Sequence, residues 1–252
     1  MILSSGTKKP KIHPSAYVAP TATISGDVTI GADCAILHGA VITAEGAPVT
    51  IGANCVVMEN AVVKASGGSA TQWAAKIGDR CIVGPHAYVV GASIGNGCFI
   101  ASGSRVFNGA VMEDGSGVAL GGIVHVNAHV LKNGSVPMQH IAYGNPAKIV
   151  GPDKAPEVAR DLQFYENVFN IDSGDDARAK AAQTYAQFLR KMHSQDAVLD
   201  AHANKAPARR SAGEEPPPQQ IAEVDTVVDA MMLELQEMEH RRQESLKKKP
   251  KR

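Results

Sequence analysis

The sequence of 252 residues predicts an all-β solenoid of parallel strands, about six coils long, followed by C-terminal α-helices. Aliphatic residues recur at every sixth position over long stretches between Ile12 and Val130, a period that fits neither an α-helix nor a hairpin sheet. A small residue follows nearly every one of them after four positions. This combination is typical of a hexapeptide β-helix, in which the aliphatic side chain fills the interior and the small residue allows a tight corner.

The spacing also predicts which residues stack, if three hexads make one coil. One interior column should contain Ile30, Ile51, Ile77, Ile94, Met112 and Val130. Two irregularities in the spacing predict a bulge between Ile42 and Ile51 and a longer excursion between Val63 and Ile77, which carries Trp73. Neighbouring rungs should lie about 4.8 Å apart.

Each of the four cysteines closes an Ile-Gly-x-x-Cys unit at a small corner position. They are Cys34, Cys55, Cys81 and Cys98. Four cysteines also suit a metal site or two disulfides, but the sequence has no CxxC pair. The repeat favours buried thiols that serve as small hydrophobic residues.

The chain changes character after the solenoid, which we place at residues 10–150. Residues 143–150 (YGNPAKIV) predict the exit, because Gly-Asn-Pro disfavours another strand. Residues 151–204 show helical spacing and should pack on the solenoid, with Asp175 and Asp176 at the start of a second helix. Residues 205–220 are rich in Pro and charge, which predicts a linker. Residues 221–252 predict an amphipathic helix with a basic tail, and helix 221–246 either folds back on its own body or binds a protein partner.

Charge and hydropathy exclude several classes of function. Lys and Arg number 25 and Asp and Glu number 25, so no global basic field would attract nucleic acid or an anionic membrane. No apolar run approaches the roughly 18 residues of a membrane span, and no secretory signal opens the chain. We therefore expect a cytoplasmic protein that neither crosses a membrane nor binds nucleic acid.

The hexapeptide array, the excursion after the third coil and the YGNPAKIV exit together resemble the γ-class carbonic anhydrase-like branch of the left-handed β-helix proteins. The resemblance covers roughly residues 10–165. It implies a left-handed solenoid that assembles as a homotrimer. In active members three His hold a metal ion, usually zinc, at the subunit interface, two from one protomer and one from the next.

This sequence departs from the family at all three implied ligand positions. They are occupied by Lys64, by Pro85 in Val83-Gly84-Pro85, and by Val90. Neither Pro nor Val can coordinate a metal, and a metal that activates water needs protein ligands around one open position. The Arg and Asp of another family stretch become Thr43 and Glu45. The sequence thus predicts a γ-carbonic anhydrase-like scaffold that has lost the zinc site and acts as a structural or assembly subunit, with no cofactor.

Two enzymatic alternatives remain open at the level of sequence. His38 and Glu59 fall in one column, one rung apart, where a shared hydrogen bond would orient a general base, and Pro85 continues that column. An acyltransferase that uses acetyl-CoA would rely on His38 or His86, although strand alternation points His86 away from the Pro85 face. A carbonic anhydrase with a relocated zinc site would use His38, His86 or His125. His125 and His129 are four residues apart but should not converge on a solenoid.

Overall fold

In the computed structural model the chain is a parallel β-helix with α-helices at its C-terminal side, described for residues 1–67, 72–161, 164–172 and 174–199. The fold class that the repeat and the resemblance predict, a left-handed β-helix with C-terminal helices, is confirmed. The described residues lie in one compact unit, Met1–Asn204. The predicted linker 205–220 and helix 221–246 lie outside the described residues.

Three parallel sheets form the walls of the solenoid, and each coil contributes a short strand to each wall. The first, sheet A, holds in spatial order Ile2–Ser5, Thr23–Ser25, Val41–Thr43, Val62–Lys64, Tyr88–Val90, Arg105–Val106, Ile123–Val124 and Ile141–Tyr143. Sheet B holds Lys11–Ile12, Val28–Ile30, Val49–Ile51, Ala75–Ile77, Ser93–Ile94, Val111–Met112 and His129–Val130. Sheet C holds Tyr17–Val18, Ala35–Ile36, Val56–Val57, Ile82–Val83, Phe99–Ile100, Gly117–Val118 and Ser135–Val136.

The predicted register is confirmed by the strand pairing. Ile30 pairs with Ile51, Ile51 with Ile77, and Ile77 with Ile94, so the aliphatic column continues across both irregularities in the spacing. These residues are at most 4% exposed and belong to one continuous core. The solenoid extends beyond the predicted six coils at both ends, because Ile2–Ser5 and Ile141–Tyr143 join sheet A outside the clearest part of the repeat.

Sheet A is closed at both edges by antiparallel strands. Lys148–Val150, within the predicted exit, folds back on Ile141–Tyr143. At the opposite edge Asp196–Leu199 pairs with Ile2–Ser5. These two strands were not predicted, and they cover the open edges that a solenoid must cap.

Three α-helices lie between those capping strands: α1 is Ala155–Asp161, α2 is Phe164–Phe169 and α3 is Ala177–His193. A short 3₁₀ helix, Pro152–Lys154, precedes α1. Helix α3 begins after Asp176, as the sequence predicts, but the Asp176 side chain makes no capping bond and pairs with Lys180 at 2.9 Å. No helix among the described residues is long and apolar enough to cross a membrane.

Both irregularities of the repeat project from the corner between sheets A and B. The bulge around Gly46 contacts Phe188 of α3, whose ring tip is 3.1 Å from where a Cβ on Gly46 would lie. The longer excursion contains an antiparallel pair, Ser66–Gly67 with Gln72–Trp73. Both therefore bring side chains to the outer surface at the end of the sheet A strands.

Candidate functional site

The ends of the sheet A strands Val62–Lys64 and Tyr88–Val90 hold two of the three positions at which the resemblance implies metal ligands. Lys64 pairs with Val90 on one side and with Thr43 on the other, so all three stack in one outward column. Pro85 lies at the corner between sheets C and A, in the turn before the strand that carries Val90. Within one chain, Pro85 and Lys64 therefore occupy opposite ends of the sheet A strands.

Two side chains bind the Lys64 ammonium, and the sequence analysis did not predict that they meet there. Its Nζ lies 2.8 Å from Oε2 of Glu45, and the two side chains are 17% and 12% exposed. The Tyr185 hydroxyl donates to the same Glu45 oxygen at 2.7 Å, and Lys64 Nζ lies 3.5 Å from the Tyr185 oxygen. We call these three residues the Lys64 cluster. The bulge supplies Glu45 and helix α3 supplies Tyr185.

Electrostatics keep the Lys64 cluster in its charged, hydrogen-bonded form. Burial alone would lower the pKa of Lys64, but the hydrogen bond and charge of Glu45 outweigh it and raise that pKa above its usual range. Burial, and then the neighbouring Glu45 carboxylate, raises the pKa of Tyr185 to about 12. Lys64 therefore remains protonated near neutral pH, and a protonated ammonium has no lone pair to offer a metal ion.

Aromatic side chains cover the cluster from the outside. The Tyr185 ring packs edge-on against Phe169 of α2, with centroids 5.7 Å apart, and stacks with Phe188 at 6.3 Å. A groove of about 530 Å³ runs beside them and is lined by Gly46, Thr184, Gln187, Phe188, Lys191 and Met192. The sequence predicts that residues 151–204 are helical and pack on the solenoid, but helical spacing does not indicate that the hydroxyl of Tyr185 reaches Glu45.

Val90, the third family position, is only 4% exposed and borders the excursion. The next residue, Gly91, has φ +55°, and a Cβ there would lie 2.5 Å from Cβ of Trp73. A Cβ on Gly109, one rung further, would lie 2.7 Å from the same indole ring. The two glycines leave a slot that the Trp73 side chain occupies. Apolar packing therefore takes up the space beside Val90.

The other candidate residues do not form one constellation. His38 Nδ1 lies 2.9 Å from Thr21 Oγ1, and no side-chain hydrogen bond joins His38 to Glu59 in the described part of the chain, although they occupy adjacent rungs. His86 is exposed and sits in the corner turn itself with φ +57°. The argument from strand alternation was therefore wrong for His86, because a turn residue does not follow the alternation of a strand.

His125 and His129 have separate partners, as the sequence predicts. His125 packs against Phe107 with ring centroids 5.9 Å apart, and burial lowers its pKa. His129 Nε2 is 2.8 Å from Glu113 Oε1 and its Nδ1 is 3.1 Å from Asn145 Oδ1. Within the described residues of this single chain, no group of three or more His, Cys, Asp or Glu is placed to hold a metal ion.

The chain is similar in sequence to two γ-class carbonic anhydrases and, over a short stretch, to a transferase. No family model matches the chain. It is 27% identical over 192 residues to gamma carbonic anhydrase 1, mitochondrial, of Arabidopsis thaliana, covering 74% of this chain and 68% of that protein. Gamma carbonic anhydrase 2, mitochondrial, of the same plant is 24% identical over 192 residues, with 74% and 67% covered. A 48-residue stretch is 46% identical to the uncharacterized transferase YtoA of Bacillus subtilis, over 19% of this chain and 28% of that one.

Among solved structures, a hexapeptide transferase family protein from Anaplasma phagocytophilum is 21% identical, with 77% of this chain and 97% of that chain covered and a TM-score of 0.44. The register of the coils and the small residues at their corners define this chain as a hexapeptide-repeat β-helix protein. Over about three quarters of its length the chain is, more narrowly, similar in sequence to γ-class carbonic anhydrases.

Proposed function

We propose that this protein is a γ-carbonic anhydrase-like subunit that has lost the zinc site and serves a structural or assembly role. The observation that carries the proposal is the Lys64 cluster, in which an internal ammonium occupies a ligand position and already neutralises Glu45. Zinc ligands in proteins are deprotonated Cys, neutral His or carboxylate oxygens. Protonated Lys64, Pro85 and buried Val90 offer none of these, so the residues present do not fit the metal.

Metal analysis of protein purified without chelator and without added zinc tests the proposal directly. We expect zinc far below one ion per chain, and no gain after incubation with zinc and buffer exchange. A variant that carries Lys64→His, Pro85→His and Val90→His together is the matched comparison, because it restores the three ligand types on the same scaffold. Near-stoichiometric zinc in the unmodified protein would overturn the proposal.

The assembly role needs surfaces through which subunits meet, and sheet C offers one. Its outward strand residues include no charged side chain: Tyr17, Ala35, Val56, Ile82, Phe99, Gly117 and Ser135. Tyr17 is 52% and Phe99 51% exposed, an unusual content of large apolar side chains for a free surface. The outward residues of sheet B, by contrast, include Lys11 and Lys76. We assign sheet C to contacts between copies in a homotrimer.

Light scattering coupled to size exclusion tests this assignment. We expect a particle about three times the 26.4 kDa chain mass, with Ile82→Lys shifting it toward the monomer. Val111→Lys is the matched control, because Val111 is an equally exposed apolar residue on sheet B (37% against 39%). A monomeric wild type would refute the trimer, and a trimer insensitive to Ile82→Lys would refute only the choice of surface.

Partner binding through helix 221–246 and a cytoplasmic location stay predictions. Deletion of residues 221–246 should abolish binding of the protein partner, while the circular dichroism spectrum of the solenoid stays unchanged. A deletion that leaves binding intact would remove this helix from the proposal.

The acyltransferase alternative has one specific observation in its favour. An apolar groove of about 390 Å³ on sheet C is lined by residues such as Phe99, Leu120 and Met138. His38 and His86 lie at the neighbouring corner between sheets C and A, but no described carboxylate hydrogen-bonds to either ring. Acetyl-CoA at millimolar concentration should therefore leave the melting temperature unchanged, whereas a rise of several degrees would favour this alternative.

A further inference from the structure

The four cysteines occupy equivalent corners between sheets B and C, where each ends a four-residue turn that begins with glycine. These turns are Gly31–Cys34, Gly52–Cys55, Gly78–Cys81 and Gly95–Cys98. The glycines stack closely, since a Cβ on Gly52 would lie 2.7 Å from the carbonyl carbon of Gly78. All four thiols are free and at most 2% exposed.

Each thiol reaches into the corner turn of the next coil and contacts both of its ends. Cys34 Sγ donates to the Gly52 carbonyl oxygen at 3.0 Å and accepts the Cys55 N–H at 3.4 Å. Cys55 does the same in the turn Gly78–Cys81, and Cys81 in the turn Gly95–Cys98, with the same two distances. Cys98 ends the series by donating to the Glu113 carbonyl oxygen at 3.2 Å.

Corner turns that do not begin with glycine close in another way. In the turns His13–Ala16, Glu113–Ser116 and Leu131–Gly134, the fourth residue donates its own N–H directly to the first carbonyl, at 2.8–3.1 Å. In the turns Gly52–Cys55, Gly78–Cys81 and Gly95–Cys98 no such direct bond is present, and the sulfur of the coil before lies between the two backbone groups. The turn Glu113–Ser116, which receives the Cys98 thiol, keeps its direct bond. The buried N–H and C=O of the three glycine turns thus depend on a side chain from the coil before.

We propose that Cys34, Cys55, Cys81 and Cys98 form a thiol column that connects successive coils by hydrogen bonds. The column acts as a conformational switch that responds to thiol-reactive electrophiles. The sulfurs of Cys34, Cys55 and Cys81 each satisfy two backbone groups of the next coil and that of Cys98 satisfies one, so the turns hold together as one unit. Addition of any one thiol to an electrophilic alkene such as a maleimide forms a C–S bond and places the thiol proton on the adjacent carbon. The added group fills the space of that turn and prevents the coils from closing. This differs from the role as small hydrophobic residues that the sequence favours, because the function of the sulfur here is polar.

The surroundings keep the column unreactive while the coils are closed. Burial raises the pKa of Cys34, and hydrogen bonds to the neighbouring sulfurs together with burial raise that of Cys81, whereas the hydrogen bond with Cys81 lowers the pKa of Cys55 to about 7 and that of Cys98 to about 6. All four thiols are at most 2% exposed, so a reagent in solution does not reach any of the sulfur atoms while the coils are closed. Modification therefore requires the coils to open first.

Substitution by serine and by alanine separates the two roles. A serine hydroxyl keeps a donor and an acceptor, whereas alanine keeps only the apolar character. We expect Cys81→Ala to lower the melting temperature by about 5 °C, and Cys81→Ser to lower it by clearly less. The same order should hold for Cys55. If serine is as destabilising as alanine or more so, the thiols act as hydrophobic residues and the proposal is wrong.

A gain of stability provides a second test that does not depend on disruptive variants. The turn Gly31–Cys34 has no direct closing bond, and the residue below it is Ala16, which offers no thiol. Ala16→Cys extends the column by one member and should raise the melting temperature by about 2 °C. Ala22→Cys is the matched control, because the turn above it is closed directly by Ala40 N–H to Leu37 O. An equal or smaller effect of Ala16→Cys overturns the proposal.

Labelling with N-ethylmaleimide across a urea series tests the switch, with adducts counted by mass spectrometry. We expect chains with either no adduct or four, and labelled chains that do not regain the β-sheet circular dichroism after urea is removed. Chains with one to three adducts in native buffer, or labelled chains that refold, would contradict it.

Discussion

Substitution of Lys64 by methionine measures how much the Lys64 cluster contributes to the free energy of unfolding. At 2.8 Å and an effective dielectric constant of about 20, the Coulomb attraction between Lys64 and Glu45 is about 6 kcal/mol before desolvation is subtracted. Truncating one member of a buried pair costs about 3–5 kcal/mol, and exposed pairs contribute about 0–1 kcal/mol. With 17% and 12% of the side chains exposed, we expect Lys64→Met to lower the free energy of unfolding by about 2–3 kcal/mol.

The assay is urea unfolding followed by circular dichroism for Lys64→Met, Glu45→Gln and the double variant. The double variant should be more stable than the sum of the single changes implies, with a coupling of about 2 kcal/mol, because it leaves no unpaired charge. Lys180→Met is the control, since its pair with Asp176 on α3 is more than 60% exposed on both sides and should leave stability unchanged. A coupling below about 0.5 kcal/mol would refute the view that Lys64 and Glu45 neutralise each other's charge at the position where the resemblance implies a metal ligand.

Two further predictions concern the surroundings of the site. The pKa of Tyr185 is raised to about 12 in the folded state, above the ordinary tyrosine pKa of about 10; the stabilisation is therefore complete below pH 10 and disappears as pH rises through 12. The melting-temperature difference between wild type and Tyr185→Phe should shrink over that interval, and a constant difference would contradict the assignment. Gly91→Ala should displace the only tryptophan and shift its fluorescence toward the red, whereas Gly103→Ala, a positive-φ glycine with open space around it, is the control. Equal spectra for the two variants would show that Trp73 does not depend on the glycine slot.

The candidate site was only partly predictable from sequence. The hexad count that predicts the pairing of Ile51 with Ile77 also places Lys64 beside Val90, because in-register stacking turns a position in the repeat into a position in space. The contact of Glu45 with Tyr185 did not follow from that count, since the two residues are 140 positions apart and the helix that carries Tyr185 has no repeat relationship to the coils. The hydrogen bonds of the cysteine thiols were also not predictable, because the cysteines occupy the same position of the repeat as alanines do in other coils.

The amino-acid sequence by itself determined the architecture and the interior column, and it carries the prediction that all three ligand positions are replaced. A solenoid makes this possible because each coil contacts only its neighbours, so local periodicity specifies the packing. Only the tertiary structure decided where the helices lie, which strands cap sheet A and what surrounds the Lys64 ammonium. Those features depend on contacts between distant segments of the chain, whose approach is set by the packing of whole elements.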